Sequence, residues 1–197
     1  MEIYISFVLA ALALAGSPGP NTLSLAAVGA AFGMRRGIGF MLGLNIGMFF
    51  VITIVGSGVA GLLFVIPGAG QFVIILAAIY FVFLAYKIAT APPISKDYNE
   101  NEPPSWFAAI LVSLANPKAY AAMAAMFSGF VLIAESNTTD AAVKCVILML
   151  VIMFVNVLWL IIGAALTPFL RDPVTSRIIN VSFAVALVIS VTAAAML

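Results

Sequence analysis

The chain has 197 residues, of which 65% are hydrophobic and 8% are charged, and its formal net charge is +1. A soluble domain carries about 25% charged residues, so this composition excludes a water-soluble protein. The few basic residues are scattered among acidic ones, which excludes the basic surface of a nucleic-acid-binding protein. Cys145 is the single cysteine and histidine is absent, so we expect no metal site and no cofactor.

Apolar stretches long enough to cross a bilayer fill most of the chain. A transmembrane helix needs about 20 apolar residues, so a chain of this length with short loops allows about six crossings. The predicted spans are residues 3 to about 32, two spans within 37–86 that divide near 66–68, then 105–133, 141–167 and 177–197. Residues 13–15 resemble a signal-peptide cleavage site, but Glu2 replaces the positive n-region, so we expect an uncleaved first helix.

The longest polar segment is residues 91–104, which contain four prolines and four charged residues and are predicted to form an aqueous loop. This loop divides a single transmembrane domain, residues 1–197, into repeat halves at 1–90 and 105–197. Each half has three spans, and because this number is odd, the second half is inserted upside down relative to the first. The predicted fold is therefore an all-α integral membrane protein with six transmembrane helices in a 3+3 inverted repeat.

Basic residues concentrate in the first, third and fifth predicted loops. They are Arg35, Arg36, Lys87, Lys96, Arg171 and Arg177. The opposite side of the membrane holds at most Lys144. Loops rich in lysine and arginine stay in the cytoplasm, so both termini are predicted to lie on the outer, periplasmic side.

Spans one and four are each interrupted by a proline-containing motif. The first motif is Gly16-Ser17-Pro18-Gly19-Pro20-Asn21, in which two prolines remove backbone donors. The second is Asn116-Pro117-Lys118, where asparagine is a preferred N-cap and proline is favoured at the first helical position. Paired interruptions mark transporter binding sites, because backbone groups freed in hydrocarbon need partners. We therefore predict a site between broken helices one and four.

The chemistry of two broken helices suits a zwitterion. If Asn21 and Asn116 cap the new half-helices, the N–H groups of residues 22–24 and 118–120 offer positive dipole ends to a carboxylate. The carbonyl groups of residues 14, 15, 114 and 115, at the ends of the preceding half-helices, would accept hydrogen bonds from an ammonium group. The predicted ligand is a small zwitterionic amino acid or a derivative of one.

Lys118 lies about midway along its span. A cation there costs roughly 2.5 to 3.5 kcal/mol on insertion scales, so Lys118 is expected to face a cavity or a polar partner. The alternative is a simple proline kink with Lys118 reaching the headgroups, which would require its side chain to cover most of a half-bilayer. Because the central parts of the spans lack aspartate, glutamate and histidine, Lys118 is also the candidate for ion coupling.

Asn45 and Asn156 are polar residues well inside predicted spans. Each could bind a ligand or form a structural bond to another helix, and the sequence leaves both readings open. Gly39, Gly43 and Gly47 recur every four residues on the second helix, which favours close packing inside the bundle. The same glycine-rich face would also suit a homodimer.

Two motifs resemble a known family. Pro18-Gly19-Pro20-Asn21-Thr22-Leu23 and Asn116-Pro117-Lys118-Ala119 are similar to the signature motifs of the LysE/RhtB superfamily of amino-acid exporters. Arg35-Arg36-Gly37 extends the resemblance, and Ala85-Tyr86-Lys87-Ile88-Ala89 and Asn156 with Trp159 and Gly163 are similar to the cysteine/O-acetylserine exporter branch. The resemblance implies an inner-membrane exporter that exchanges amino acids with protons. Residues 43–48 carry no acidic residue where many relatives have one, which disfavours basic substrates and the standard route of proton coupling.

The predicted function is secondary-active export of small amino acids or amino-acid derivatives across the cytoplasmic membrane, coupled to the proton gradient. A passive channel or a helical membrane assembly module without concentrative transport is the alternative. An intramembrane enzyme would need a nucleophile with a base or a metal set, so no catalytic residue is assigned. The predicted substrate-binding residues are Pro18, Gly19, Pro20, Asn21, Thr22, Asn45, Asn116, Pro117, Lys118 and Asn156.

Overall fold

A computed structural model describes residues 1–58, 75, 79, 82–86, 88–90, 103–166, 168–169 and 172–195. Every secondary-structure element in these ranges is helical. The helices are α1 (Glu2–Gly16), α2 (Pro20–Gly56), α3 (Trp106–Leu114), α4 (Pro117–Gly129), α5 (Asn137–Ala165) and α6 (Pro173–Ala195). The predicted division near residues 66–68, most of the third span, residues 91–102 of the predicted loop, Lys87, Lys96 and Arg171 lie outside the described residues.

Helix α2 folds back on itself at Gly33, whose φ of 76° and ψ of 170° lie where side chains are rarely tolerated. A straight helix would hold Asn21 and Leu44 about 34 Å apart, at 1.5 Å per residue. Instead, Asn21 Nδ2 and Leu44 O each lie 3.0 Å from the hydroxyl of Ser113. Two arms, residues 20–32 and 34–56, therefore pack side by side. The turn falls where the sequence predicts the boundary between spans one and two.

Apolar length and apolar surface identify a membrane protein. Helices α2 and α5 are each long and apolar enough to cross a membrane, and α3 with α4, bent by 59°, adds a third crossing if the pair is one span. The second arm of α2 is about 34 Å long by itself, more than a hydrocarbon core of roughly 30 Å. Large apolar side chains cover the outside of these helices, including Phe50, Leu150 and Phe154, each about half exposed. The predicted all-α membrane protein is confirmed.

Glycines on the second arm of α2 allow α3 to approach closely. A Cβ atom on Gly47 would lie 2.8 Å from the carbonyl oxygen of Ile110, and one on Gly43 would overlap the backbone of Trp106. A Cβ atom on Gly39 would meet nothing within 4 Å. Gly43 and Gly47 therefore serve packing inside the bundle, the first of the two roles that the sequence left open.

Helix α5 lies against the first arm of α2 through a second pair of glycines. A Cβ atom on Gly29 would lie 2.7 Å from the carbonyl oxygen of Leu160, and one on Gly163 would overlap the backbone of Ala26. A buried core then fills the space between α1, the second arm of α2, α4 and α5. Its largest members are Phe7, Ile52, Met126 and Leu148.

A buried ion pair organises the turn between α4 and α5. Asp140 and Lys144 lie one helical turn apart on α5, are 8% and 2% exposed, and are joined at 2.6 Å. Asp140 Oδ1 accepts the N–H groups of residues 132 and 133 at 2.6 and 2.9 Å. Lys144 Nζ donates to the carbonyl oxygens of Phe127 and Phe130. The pair thus satisfies carbonyl groups at the end of α4 and two N–H groups of the turn that follows it.

Helix α6 begins four residues before the predicted start at Arg177. Asp172 Oδ2 accepts the N–H of Thr175 at 2.7 Å, and Pro173 occupies the first turn, a combination that favours a helix start. The same N–H bond holds the pKa of Asp172 below its usual value. Arg177 Nη1 donates to Ala89 O at 2.8 Å and so ties α6 to residues 88–90.

Candidate functional site

The first predicted break separates α1 from α2. Helix α1 ends at Gly16, and α2 begins at Pro20 with Gly19 as its N-cap. The Gly19 N–H donates to Thr22 Oγ1 at 2.9 Å, so Thr22 makes the local capping bond. The prediction that Asn21 caps this half-helix is wrong, because Asn21 already lies within the first helical turn and its amide points to another helix.

The second predicted break separates α3 from α4. Helix α3 ends at Leu114, and α4 begins at Pro117 with Asn116 at the N-cap position, as the sequence predicts. The Asn116 side chain, however, makes no capping bond. Its Nδ2 donates instead to Asn21 Oδ1 at 2.9 Å, which joins the two breaks directly.

A chain of buried hydrogen bonds runs from the second break to the second arm of α2. Asn116 Nδ2 donates to Asn21 Oδ1, and Asn21 Nδ2 donates to Ser113 Oγ at 3.0 Å. Ser113 Oγ donates in turn to the carbonyl oxygen of Leu44 at 3.0 Å. Ser113 is fully buried and was missed in the sequence, although its position three residues before Asn116 puts a hydroxyl just ahead of the break.

Lys118 links the second break to the first. Its Nζ donates to Ser17 O and Ser17 Oγ, each at 2.7 Å, and to Pro18 O at 3.1 Å. The cation therefore has the polar partners that its mid-span position predicts. Gly19 leaves room for this side chain, because a Cβ atom there would lie 2.8 Å from Lys118 Cδ. The φ of Gly19, −168°, is extended backbone that any residue adopts, so space explains this glycine.

Four carbonyl groups at the first break, those of residues 14, 16, 17 and 18, are bound by the protein itself. Leu14 O accepts the Ser17 hydroxyl at 2.8 Å, and Gly16 O accepts Trp159 Nε1 at 3.3 Å. Lys118 occupies the carbonyl groups of residues 17 and 18. The prediction that Leu14 offers a free carbonyl is therefore wrong, and Trp159 donates a hydrogen bond to the last residue of α1.

A cavity of about 50 Å³ lies where the two breaks meet α5, with room for several water molecules. The predicted site residues that line it are Gly19, Asn21, Thr22, Asn116, Lys118 and Asn156. Met48, Ile152 and Val155 contribute to its apolar wall. Pro18, Pro20, Pro117 and Asn45 are not in the lining, although Asn45 Oδ1 accepts Asn156 Nδ2 at 2.7 Å and so orients that amide.

The cavity has a positive electrostatic character. The first turns of α2 and α4 both border it, and helix N-termini carry partial positive charge and unpaired N–H groups. Lys118 adds a full positive charge. Within the described ranges, no group of three or more histidine, cysteine, aspartate or glutamate residues could hold a metal ion. The arrangement suits a small solute with a carboxylate and an apolar side chain.

An α-helical membrane bundle with a small cavity between two broken helices has the architecture of the class of membrane transport proteins. The particular family follows from comparison with known proteins. The model of the family described as LysE type translocator matches residues 12–196, and the chain belongs to this family. The protein is therefore a membrane translocator and not an enzyme.

Curated relatives cover nearly the whole chain. The cysteine/O-acetylserine efflux proteins of Escherichia coli (strain K12) and Shigella flexneri serotype 5b (strain 8401) are each 28% identical to it over 178 residues. These matches cover 90% of this chain and 89% of the relative. The cysteine/O-acetylserine efflux protein of Escherichia coli O1:K1 / APEC is similar to the same extent. No solved structure matches the chain.

Proposed function

We propose that this protein exports small zwitterionic amino acids or amino-acid derivatives across the cytoplasmic membrane by secondary active transport. Membership of the translocator family and relatives named as cysteine/O-acetylserine efflux proteins support this proposal. The observation that carries it is the cavity at which two broken helices meet, bordered by two helix N-termini and Lys118. These groups would bind the carboxylate that every amino acid carries.

The proposed framework is one domain of six spans in a 3+3 inverted repeat. In this arrangement α1 with the first arm of α2 forms span one, the second arm forms span two, and α3 with α4 forms span four. Helices α5 and α6 are spans five and six. The matching positions of the two breaks support the repeat. Reporter fusions at both termini test the proposed topology, since a cytoplasmic terminus would contradict it.

Transport in this proposal requires the bonds between Lys118 and the first break to open. Alternating access moves one half of the bundle against the other around a fixed site. Lys118 spans that boundary, because its own helix lies in the second half and its oxygen partners lie in the first. A proton lost from Lys118 would weaken these bonds, and Lys118 is the one ionisable side chain among the cavity-lining residues. We propose that proton coupling uses this group.

Purified protein in liposomes tests the function. With a pH gradient across the membrane, labelled L-cysteine or another member of a panel of small neutral amino acids should accumulate against its concentration gradient. Dissipation of the pH gradient should abolish accumulation. Equilibration without accumulation would favour a passive channel, and absence of flux for the whole panel would refute amino-acid export.

Replacing Lys118 by methionine removes the cation and keeps a long side chain. We expect transport to collapse while membrane insertion and elution in detergent stay unchanged, because methionine cannot donate to Ser17 or Pro18. Arg35→Met is the matched control, since Arg35 is an exposed cation remote from the cavity lining. Transport by Lys118→Met at the rate of Arg35→Met would show that Lys118 is merely tolerated in its span.

A further inference from the structure

One polar atom beside the cavity has no hydrogen-bond partner in the described part of the chain. It is Oδ1 of Asn116, which is fully covered, in a residue that is 4% exposed. A buried amide oxygen without a partner costs free energy, so native proteins rarely keep one unless a ligand or water binds it. Because Asn116 lines the cavity, a bound solute can reach this residue.

The hydrogen-bond chain fixes which atom of the Asn116 amide is left over. Its last acceptor is the carbonyl oxygen of Leu44, which cannot donate, so the Ser113 hydroxyl must give its proton there. Ser113 Oγ can then only accept, and Asn21 must turn Nδ2 towards it. Asn21 Oδ1 therefore faces Asn116, and Asn116 must donate to it through Nδ2. Exchanging oxygen and nitrogen in either amide would place two donors or two acceptors in contact.

We propose that Asn116 Oδ1 accepts a hydrogen bond from the ammonium group of the transported amino acid, and that this bond makes a free α-amino group a requirement for recognition. This inference rests on the proposed function and names one of its recognition elements. Of the two groups that all amino acids share, only the ammonium can donate to an amide oxygen. A carboxylate placed there would face an acceptor and lose its own hydration.

The same bond sets the orientation of the substrate. The obvious alternative acceptors, the carbonyl oxygens of Leu14, Ser17 and Pro18, are already bonded to Ser17 and Lys118. Asn116 Oδ1 is a buried acceptor at the second break, and it has no hydrogen-bond partner in the described part of the chain. With the ammonium at Asn116, the N-cap of α4, the carboxylate is directed towards the N-terminus of α2, and the side chain towards the apolar wall formed by Met48 and α5.

Paired competitors in the liposome assay test this recognition. Each pair is an amino acid and its analogue without the amino group, such as L-cysteine with 3-mercaptopropionate or L-alanine with propionate. For wild-type protein, loss of the amino group should weaken competition on the order of tenfold to a hundredfold, the range for a hydrogen bond to a charged donor. Asn116→Leu keeps the side-chain shape without an acceptor, so this preference should fall to roughly threefold or less.

Asn116→Asp is the second variant and is informative even if Asn116→Leu does not insert. Its protonated carboxyl group donates to Asn21 Oδ1 through one oxygen and keeps the other oxygen as an acceptor at this position, so the preference for the amino group should persist. A wild-type preference in Asn116→Leu, as expected if Oδ1 binds only water, would overturn the proposal. Loss of the preference in Asn116→Asp would also overturn it. Neither outcome contradicts the proposal that the protein exports amino acids. Wild-type protein that moves no amino acid would refute that proposed function itself.

Discussion

Replacing Gly47 by alanine tests the close contact that positions the hydrogen-bond chain. The new Cβ atom would lie 2.6 Å from Ser113 Cβ and 2.8 Å from Ile110 O. Carbon atoms in contact are about 3.5 to 4.0 Å apart, so the second arm of α2 must retreat from α3 by roughly 1 Å. Overpacking of this kind costs about 1 to 3 kcal/mol. The same shift would stretch the 3.0 Å bond between Ser113 Oγ and Leu44 O beyond hydrogen-bonding distance.

Gly39→Ala is the matched control, because Gly39 lies on the same helix and its new Cβ atom would meet nothing within 4 Å. Both substitutions gain the same helix propensity, about 1 kcal/mol, so the difference between the variants isolates the contact. We expect Gly47→Ala to melt about 2 to 12 °C below Gly39→Ala in detergent, at about 2 to 4 °C per kcal/mol for a chain of this size. It should also transport more slowly. Equal melting temperatures would refute the contact argument.

Two further substitutions address other contacts. Gly19→Ala should slow transport severalfold with little loss of thermal stability, because its Cβ would displace the flexible Lys118 chain, whereas Gly16→Ala meets nothing within 4 Å. Liposome flux compares the two variants, and equal rates would contradict this role of Gly19. Asp140→Asn should lower the melting temperature by removing the charge opposite Lys144, at a cost of about 1 to 3 kcal/mol. The double variant with Lys144→Met should recover part of this loss. A wild-type melting temperature for Asp140→Asn would refute the stabilising role of the ion pair.

Local chemistry made both helix breaks predictable from sequence. Proline ends a preceding helix and favours the start of a new one through its effect on the backbone of its immediate neighbours. The starts of α2 and α4 therefore follow from Pro20 and Pro117. The turn at Gly33 was likewise close to the predicted boundary, because Arg35 and Arg36 mark the end of an apolar run. The cost of a mid-span cation correctly indicated that Lys118 has polar partners.

The hydrogen-bond partners of the site residues could not be predicted from the sequence, because they depend on how the helices assemble. Ser113 meets Asn21 only after α2 folds back, and 92 residues separate them in the chain. The error at Asn21 has the same origin: asparagine is a good N-cap by local preference, but a tertiary bond to Ser113 uses its side chain. The spacing of four residues between Asp140 and Lys144 indicates an ion pair on one helix face. No such local pattern indicates the backbone groups that the pair binds.

The two motifs are best understood as one unit that neither half could form alone. A cation at the start of α4 and exposed carbonyl oxygens between α1 and α2 are each costly in hydrocarbon. Lys118 and the residue 17–18 carbonyls offset both costs at once, across 100 residues of sequence. Any conformation that opens this contact must supply new donors to Ser17 and Pro18 and new acceptors to Lys118. Water and a zwitterionic solute can do so, which couples opening of the cavity to its hydration or occupancy.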